Sequence, residues 1–204
     1  VQAGTTGEIF VQENYPDAEL GSYKSGMDAA LDLKNGKLDF ALLENQPIED
    51  GISRETLGFK RLLFCAPDRP PYNSVPQPVK IETLLEWPMI IYEWNSGRHM
   101  VGNRHFRKRY GLSLTDHNMV ARFDTHEAMV NGAKAGLGWA CIPECVAERY
   151  RNEPGLIWFK VDTDPMRYPV DLAWHTGRVI SPLALEFKDF IRDNVPAGYF
   201  RKQG

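Results

Sequence analysis

The residues best suited to chemistry lie between Arg122 and Pro143. Phe123, Asp124 and Thr125 end a strand-like segment and open a helical one, which sets a ring, a carboxylate and a hydroxyl at a helix mouth. Backbone N–H groups at such a mouth attract small anions and polar ligands. Asp124 is expected to N-cap this helix, with Glu127 three residues on completing a capping box. Met129, Val130 and Ala133 share one face at helical spacing. Gly136 and Gly138 then end the helix where positive φ is easiest. Trp139 to Pro143 follows as a short buried strand, with Ile142 and the Pro143 stop at its end. The pattern is that of a binding site.

Catalytic patterns are absent from the sequence. No Ser-His-Asp arrangement, phosphate loop or dinucleotide fingerprint occurs. Gly136-x-Gly138 follows a helix rather than preceding one, the wrong order for a phosphate loop. His105, His117, His126 and His175 show no metal-ligand spacing with one another or with the cysteines. They read as surface or capping residues. Neither a catalytic group, a metal nor a cofactor is expected. Cys65 and Cys141 fall in apolar strands, where a thiol acts as a small hydrophobe. Cys141 and Cys145 match no strong zinc or redox spacing. Structural thiols in a reducing, cytoplasmic setting are expected; a redox role would need a lowered thiol pKa.

The elements that must position these residues alternate. Strand-like segments run over Ala18–Tyr23, Asp39–Leu43, Arg61–Ala66, Met89–Tyr92, Met119–Phe123, Trp139–Ile142, Leu156–Val161 and Val170–Trp174. Several are near-continuous apolar runs, as in parallel strands covered on both faces. Ser25 opens a helix with Met27, Ala30 and Leu31 that ends near Asn35-Gly36. Ser96-Gly97 opens another, carrying His99, Asn103, Phe106 and Tyr110 and ending at Gly111. A further helix starts near Glu144, and Ser181-Pro182 starts the last, with Leu183, Phe187, Phe190 and Ile191 as its expected buried face. The proline-rich stretch from Pro67 to Pro78 reads as a crossing between two lobes.

With 204 residues, 43% hydrophobic and 25% charged, the chain has the composition of an ordinary globular protein. Its formal charge of -3 argues against sequence-independent nucleic-acid binding. No apolar run reaches membrane-spanning length.

Taken in order, several stretches resemble the effector-binding domain of bacterial LysR-type transcriptional regulators. They are Gly4-Thr5-Thr6-Gly7, Tyr15 to Leu20, Leu33 to Leu42, Phe123 to Pro143, and more weakly Leu84 to Ile90. The resemblance implies an α/β, two-lobed periplasmic-binding-protein-like (type 2) fold, with two mainly parallel sheets joined by two crossing strands. Lobe I would hold residues 1–63 and 174–204, and lobe II residues 64–173. A small anionic or zwitterionic effector would bind between them. Implied contacts are Thr5, Thr6, Glu44 and Asn45 from the first lobe. The second would give Trp94, Ser96, Gly97, Phe123, Asp124, Thr125, Ile142 and Pro143. Each also has a plainer reading as a cap, turn or strand end.

The resemblance further implies a homodimer or homotetramer, no membrane partner, and contact with DNA only through an N-terminal winged helix-turn-helix outside this chain. A transport-type solute-binding protein of the same fold is the alternative. One departure stands out. Between Thr6 and Tyr15 the family has a helix about ten residues longer, roughly 15 Å. Either that helix is truncated in this chain or residues were omitted from the stretch, and the second is the expectation.

Overall fold

The computed structural model describes residues 16, 21, 23, 26–45, 50–92, 103, 104, 106–108, 111 and 118–194. The chain forms two units, residues 1–59 with 169–204 and residues 60–168. Most of the expected strand Ala18–Tyr23, the Ser25 cap and most of the helix opened by Ser96 lie outside the described residues.

In the first unit, helix α1 (Gly26–Lys34) packs on strand β1 (Ala41–Glu44). Ala30 and Leu33 bury against Ala41, Leu43 and Ala173, while Met27 and Leu31 face outward. Gly36, at φ 72°, ends the helical segment in the left-handed region that glycine tolerates best. Strand β1 pairs antiparallel with β7 (Arg167–His175), and β7 lies beside β2 (Ile52–Pro67). Both β2 and β7 pass from one unit into the other.

The last helix, α5 (Pro182–Asp193), begins as its sequence predicts: the Ser181 side chain accepts from the Ala184 N–H and Pro182 sits in the first turn. Its expected buried face is not buried. Leu183 is 77% exposed, Phe187 53% and Phe190 56%, and Ile191 is half-buried. Lys188 lies on the inner side of the helix instead. Its Nζ lies 3.7 Å from the Trp174 ring centroid and 4.0 Å from the Glu55 carboxylate.

The second unit is a mixed sheet between helices. Strands β3 (Met89–Tyr92), β4 (Met119–Phe123) and β5 (Trp139–Pro143) are parallel, with β3 in the middle. Strand β2 runs antiparallel to β5 and to β6 (Leu156–Phe159). Helix α2 (Ile81–Glu86) buries Ile81, Leu84 and Leu85 on one face, in the core that holds Phe64, Trp87, Trp139 and Tyr168. Helix α3 (His126–Lys134) buries Met129, Val130 and Ala133 on the other, against Cys65, Ile90, Ala140 and Ile142. The short helix α4 (Glu144–Ala147) and a 3-10 turn (Glu148–Tyr150) follow β5.

The proline-rich stretch is not a crossing; it belongs to the second unit. Tyr72 is buried edge-on against Trp87 with ring centroids 4.9 Å apart. Arg69 donates to the Gly136 carbonyl, and Gln77 accepts from the Lys160 N–H. These anchors hold the stretch down on its own unit.

Candidate functional site

The three parallel strands of the second unit end at one edge of their sheet. Tyr92 closes β3 and pairs in register with Phe123, which closes β4; Ile142 and Pro143 close β5. An irregularity between Met89 and Ile90 skips Val120, so Met119 joins one core while Ala121 and Phe123 join the other. This bulge turns the Phe123 ring toward α3.

Helix α3 starts at the same edge. Its cap is Thr125, one residue later than the sequence reading gave: the backbone is extended there (φ -127°, ψ 148°) and Oγ1 accepts from the Ala128 N–H at 3.2 Å. The expected capping box of Asp124 with Glu127 is therefore not formed, because the third helical position after the true cap is Ala128. Asp124 remains exposed beside the helix start, where a carboxylate is favoured by the helix dipole. Because the Thr125 oxygen is used as an acceptor, its O–H proton is available to a ligand. The first-turn N–H groups of any helix lack intrahelical partners. Together they form a small array of donors.

Ring contacts line this edge. Tyr92 and His126 lie with centroids 4.9 Å apart and planes tilted by 38°. Phe123, half-buried, packs on Gly132: a methyl there would come within 2.9 Å of the ring, 3.3 Å of Ile90 and 3.4 Å of Leu137. Ile142 is fully buried in the core under α3 and Pro143 is buried as the N-cap of α4, so both shape the edge from within.

The structure thus groups Phe123, Asp124, Thr125, Ile142 and Pro143 at one sheet edge. Glu44 and Asn45 stand in the first unit at the end of β1. Glu44 pairs with Val170, and Asn45 adopts φ 50° while its N–H donates to the Pro169 carbonyl at 3.1 Å. Asparagine tolerates this left-handed conformation better than most residues. Thr5, Thr6, Trp94, Ser96 and Gly97 lie outside the described residues. Tyr92 and His126 escaped the sequence reading. The usable signal was that ligands collect at the carboxyl ends of parallel strands, which singles out the last residue of β3 as much as that of β4.

Neither Cys65 nor Cys141 is set up as a nucleophile. Burial pushes the Cys65 thiol up to about 12, and burial, with Cys65 adding to it, raises the Cys141 thiol as well. Both favour the neutral thiol, as expected of structural cysteines. Among the described residues no group of three or more His, Cys, Asp or Glu could hold a metal, and no helix is long and apolar enough to cross a membrane.

The LysR substrate binding domain profile matches residues 11–196 of the chain. No curated protein matches it in sequence. Solved structures share its fold at low identity. The CcmR regulatory domain from Synechocystis PCC6803, in complex with 2-PG, is 19% identical with a TM-score of 0.71, covering 93% of this chain and 90% of that one. The QuiR effector-binding domain in complex with shikimate is 17% identical with a TM-score of 0.71, covering 94% and 90%. The C-terminal domain of a probable LysR family transcriptional regulator from Rhodococcus sp. RHA1 is 17% identical with a TM-score of 0.68, covering 93% and 92%.

Proposed function

The chain belongs to the LysR substrate-binding domain family, the effector-sensing part of LysR-type transcription regulators, and from that premise we propose where and what it binds. A small anionic or zwitterionic effector is held at the carboxyl ends of β3, β4 and β5. The carrying observation is Thr125: its oxygen caps α3 and its hydroxyl proton is left for a ligand at the mouth of that helix. Asp124 would meet an ammonium group, and Tyr92 with His126 would limit the shape of what enters. Of the other residues implied by the family resemblance, Thr5, Thr6, Glu44, Asn45, Trp94, Ser96 and Gly97 complete the proposed set. The QuiR domain of the same fold is complexed with shikimate, a carboxylate, which supports the anionic class.

The protein acts as a homodimer or homotetramer in the cytoplasm, and DNA is contacted by an attached helix-turn-helix. An effector shifts such an assembly only through different affinities for its two arrangements. The transport-protein alternative is set aside, because the matching profile is that of LysR regulators. An enzymatic role has no nucleophile–base pair to support it among the described residues.

The test is calorimetric titration of the purified chain with a panel of small carboxylates, phosphates and amino acids. At least one should bind, and Thr125→Val should weaken it by about tenfold, the value of one charge-assisted hydrogen bond. Binding that Thr125→Val leaves unchanged would move the site elsewhere.

A further inference from the structure

The sheet of the second unit carries a row of four residues just inside its ligand-facing edge. Leu63 on β2 pairs with Ile142 on β5, and Tyr92 on β3 pairs with Phe123 on β4. Ile90 pairs with Ala140, so Tyr92 and Ile142, each two residues further on, stand level as well. All four share the core that lies under α3. Side chains alternate along a strand, so a residue two positions further out returns to the same face. On β2, which runs antiparallel to β5, that residue is Arg61. Beyond β4 the corresponding position is Thr125, at the start of the helix that covers this face. Three strand spacings separate them, about 14 Å. A long arginine side chain extending into that gap leaves room for a small metabolite.

The Arg61 guanidinium is held loosely there. Its Nη1 lies 4.0 Å from Oε1 of Glu144, beyond hydrogen-bond distance, which places it at the end of β5. Among the described residues Glu144 is its only charged partner. The arginine side chain is 40% exposed and that of Glu144 23%. An ion pair this long and this wet adds little to folding. Its planar fork of donors is left for another carboxylate or phosphate, the groups that guanidinium pairs with best. The charge balance of the edge needs such a group. Asp124 and Glu144 place two carboxylates there, and they repel an anion unless a cation offsets them.

We propose that Arg61 is a further effector-binding residue: its guanidinium receives an oxyanion of the effector at the end of β5, and Glu144 is the internal counter-ion that this oxyanion displaces. The inference rests on the effector site proposed above and deepens it. The effector carries a carboxylate or phosphate at the Arg61 end, and its remaining polar groups reach the Thr125 hydroxyl.

An NMR titration of the isotopically labelled chain with inorganic phosphate, at constant ionic strength, tests it. The Nε–H signal of Arg61 and the amides of Glu144 and Cys145 should shift together and saturate at millimolar phosphate. Glu144→Gln removes the competitor and should tighten that response by about two- to fivefold, the worth of an exposed ion pair. Arg61→Gln should fold as the unaltered protein does and abolish the shifts at Glu144 and Cys145. Arg61→Lys, which keeps the charge without the fork, should retain a weakened response. Shifts at Glu144 and Cys145 that survive Arg61→Gln overturn the proposal, as does an Arg61 signal that never saturates. A response that Glu144→Gln leaves unchanged overturns the role of the counter-ion. The amides of Glu127 and Ala128 report on the start of α3 separately. If they respond equally with and without Arg61, the site proposed above stands and only the role of Arg61 is lost.

Discussion

A single hydroxyl decides how the start of α3 is built. Thr125 rather than Asp124 takes the Ala128 N–H, so the two neighbours should respond differently to truncation. Thr125→Ala is expected to cost about 1 kcal/mol of unfolding free energy. Asp124→Ala, which removes only an exposed carboxylate near the dipole, should cost about 0.3–1 kcal/mol. Urea denaturation of both variants checks the order. Cys65 gives a second residue-scale prediction. Its folded pKa of about 12 lies above the ordinary 9.0, because burial disfavours the thiolate. The folded state therefore keeps a proton that the unfolded chain releases above pH 9. Its contribution is fully present below pH 9 and declines as pH rises toward 12, at about 1.4 kcal/mol per pH unit. Cys65→Ala should remove that component, so the difference in stability between the two proteins should shrink or reverse between pH 9 and 11. A constant difference would mean that the thiol is not held neutral.

At the scale of elements, the glycines around α3 show what sequence reasoning reached and what it missed. Gly136 has φ 92° and ends the helix as predicted from its type. Gly138 is glycine for a different reason: a methyl there would sit 2.1 Å from the Pro88 carbonyl oxygen, which also accepts the Trp139 N–H. Pro88 is backbone and cannot step aside. Gly138→Ala should thus cost about 3 kcal/mol or more. Gly132→Ala meets only side chains, and the roughly 1 kcal/mol that alanine gains in a helix offsets part of the crowding. Thermal denaturation should rank Gly138→Ala well below Gly132→Ala. The strands β3 and β4 were legible residue for residue because their apolar runs are local signals. The first half of β2 was not. Arg54, Glu55 and Thr56 look like loop until Asp171 and Lys188, more than a hundred residues away, supply their partners. For the same reason the buried Asp171 was invisible, and the outward turn of Leu183, Phe187 and Phe190 could not be foreseen from helical spacing. The site followed suit: its strand ends and helix start were readable, but the cap position depended on where β4 ended, and the contact of Tyr92 with His126 on pairing of two strands.

For the whole molecule, membership of a sensor family carries a thermodynamic obligation. If an effector on this domain alters how an attached DNA-binding half engages its operator, the two ligands are linked by one coupling free energy, and the linkage is reciprocal. Suppose saturating effector changes operator affinity of the intact regulator by some factor, typically about 5 to 150. Saturating operator must then change effector affinity by the same factor and in the same direction. Fluorescence anisotropy on labelled operator and calorimetry on the effector measure the two arms independently. An effector-binding domain prepared without a DNA-binding half should bind effector with one affinity that operator DNA does not alter. If Thr125 contacts the effector as proposed, Thr125→Val should weaken effector binding in both states by the same ratio and leave the coupling factor intact.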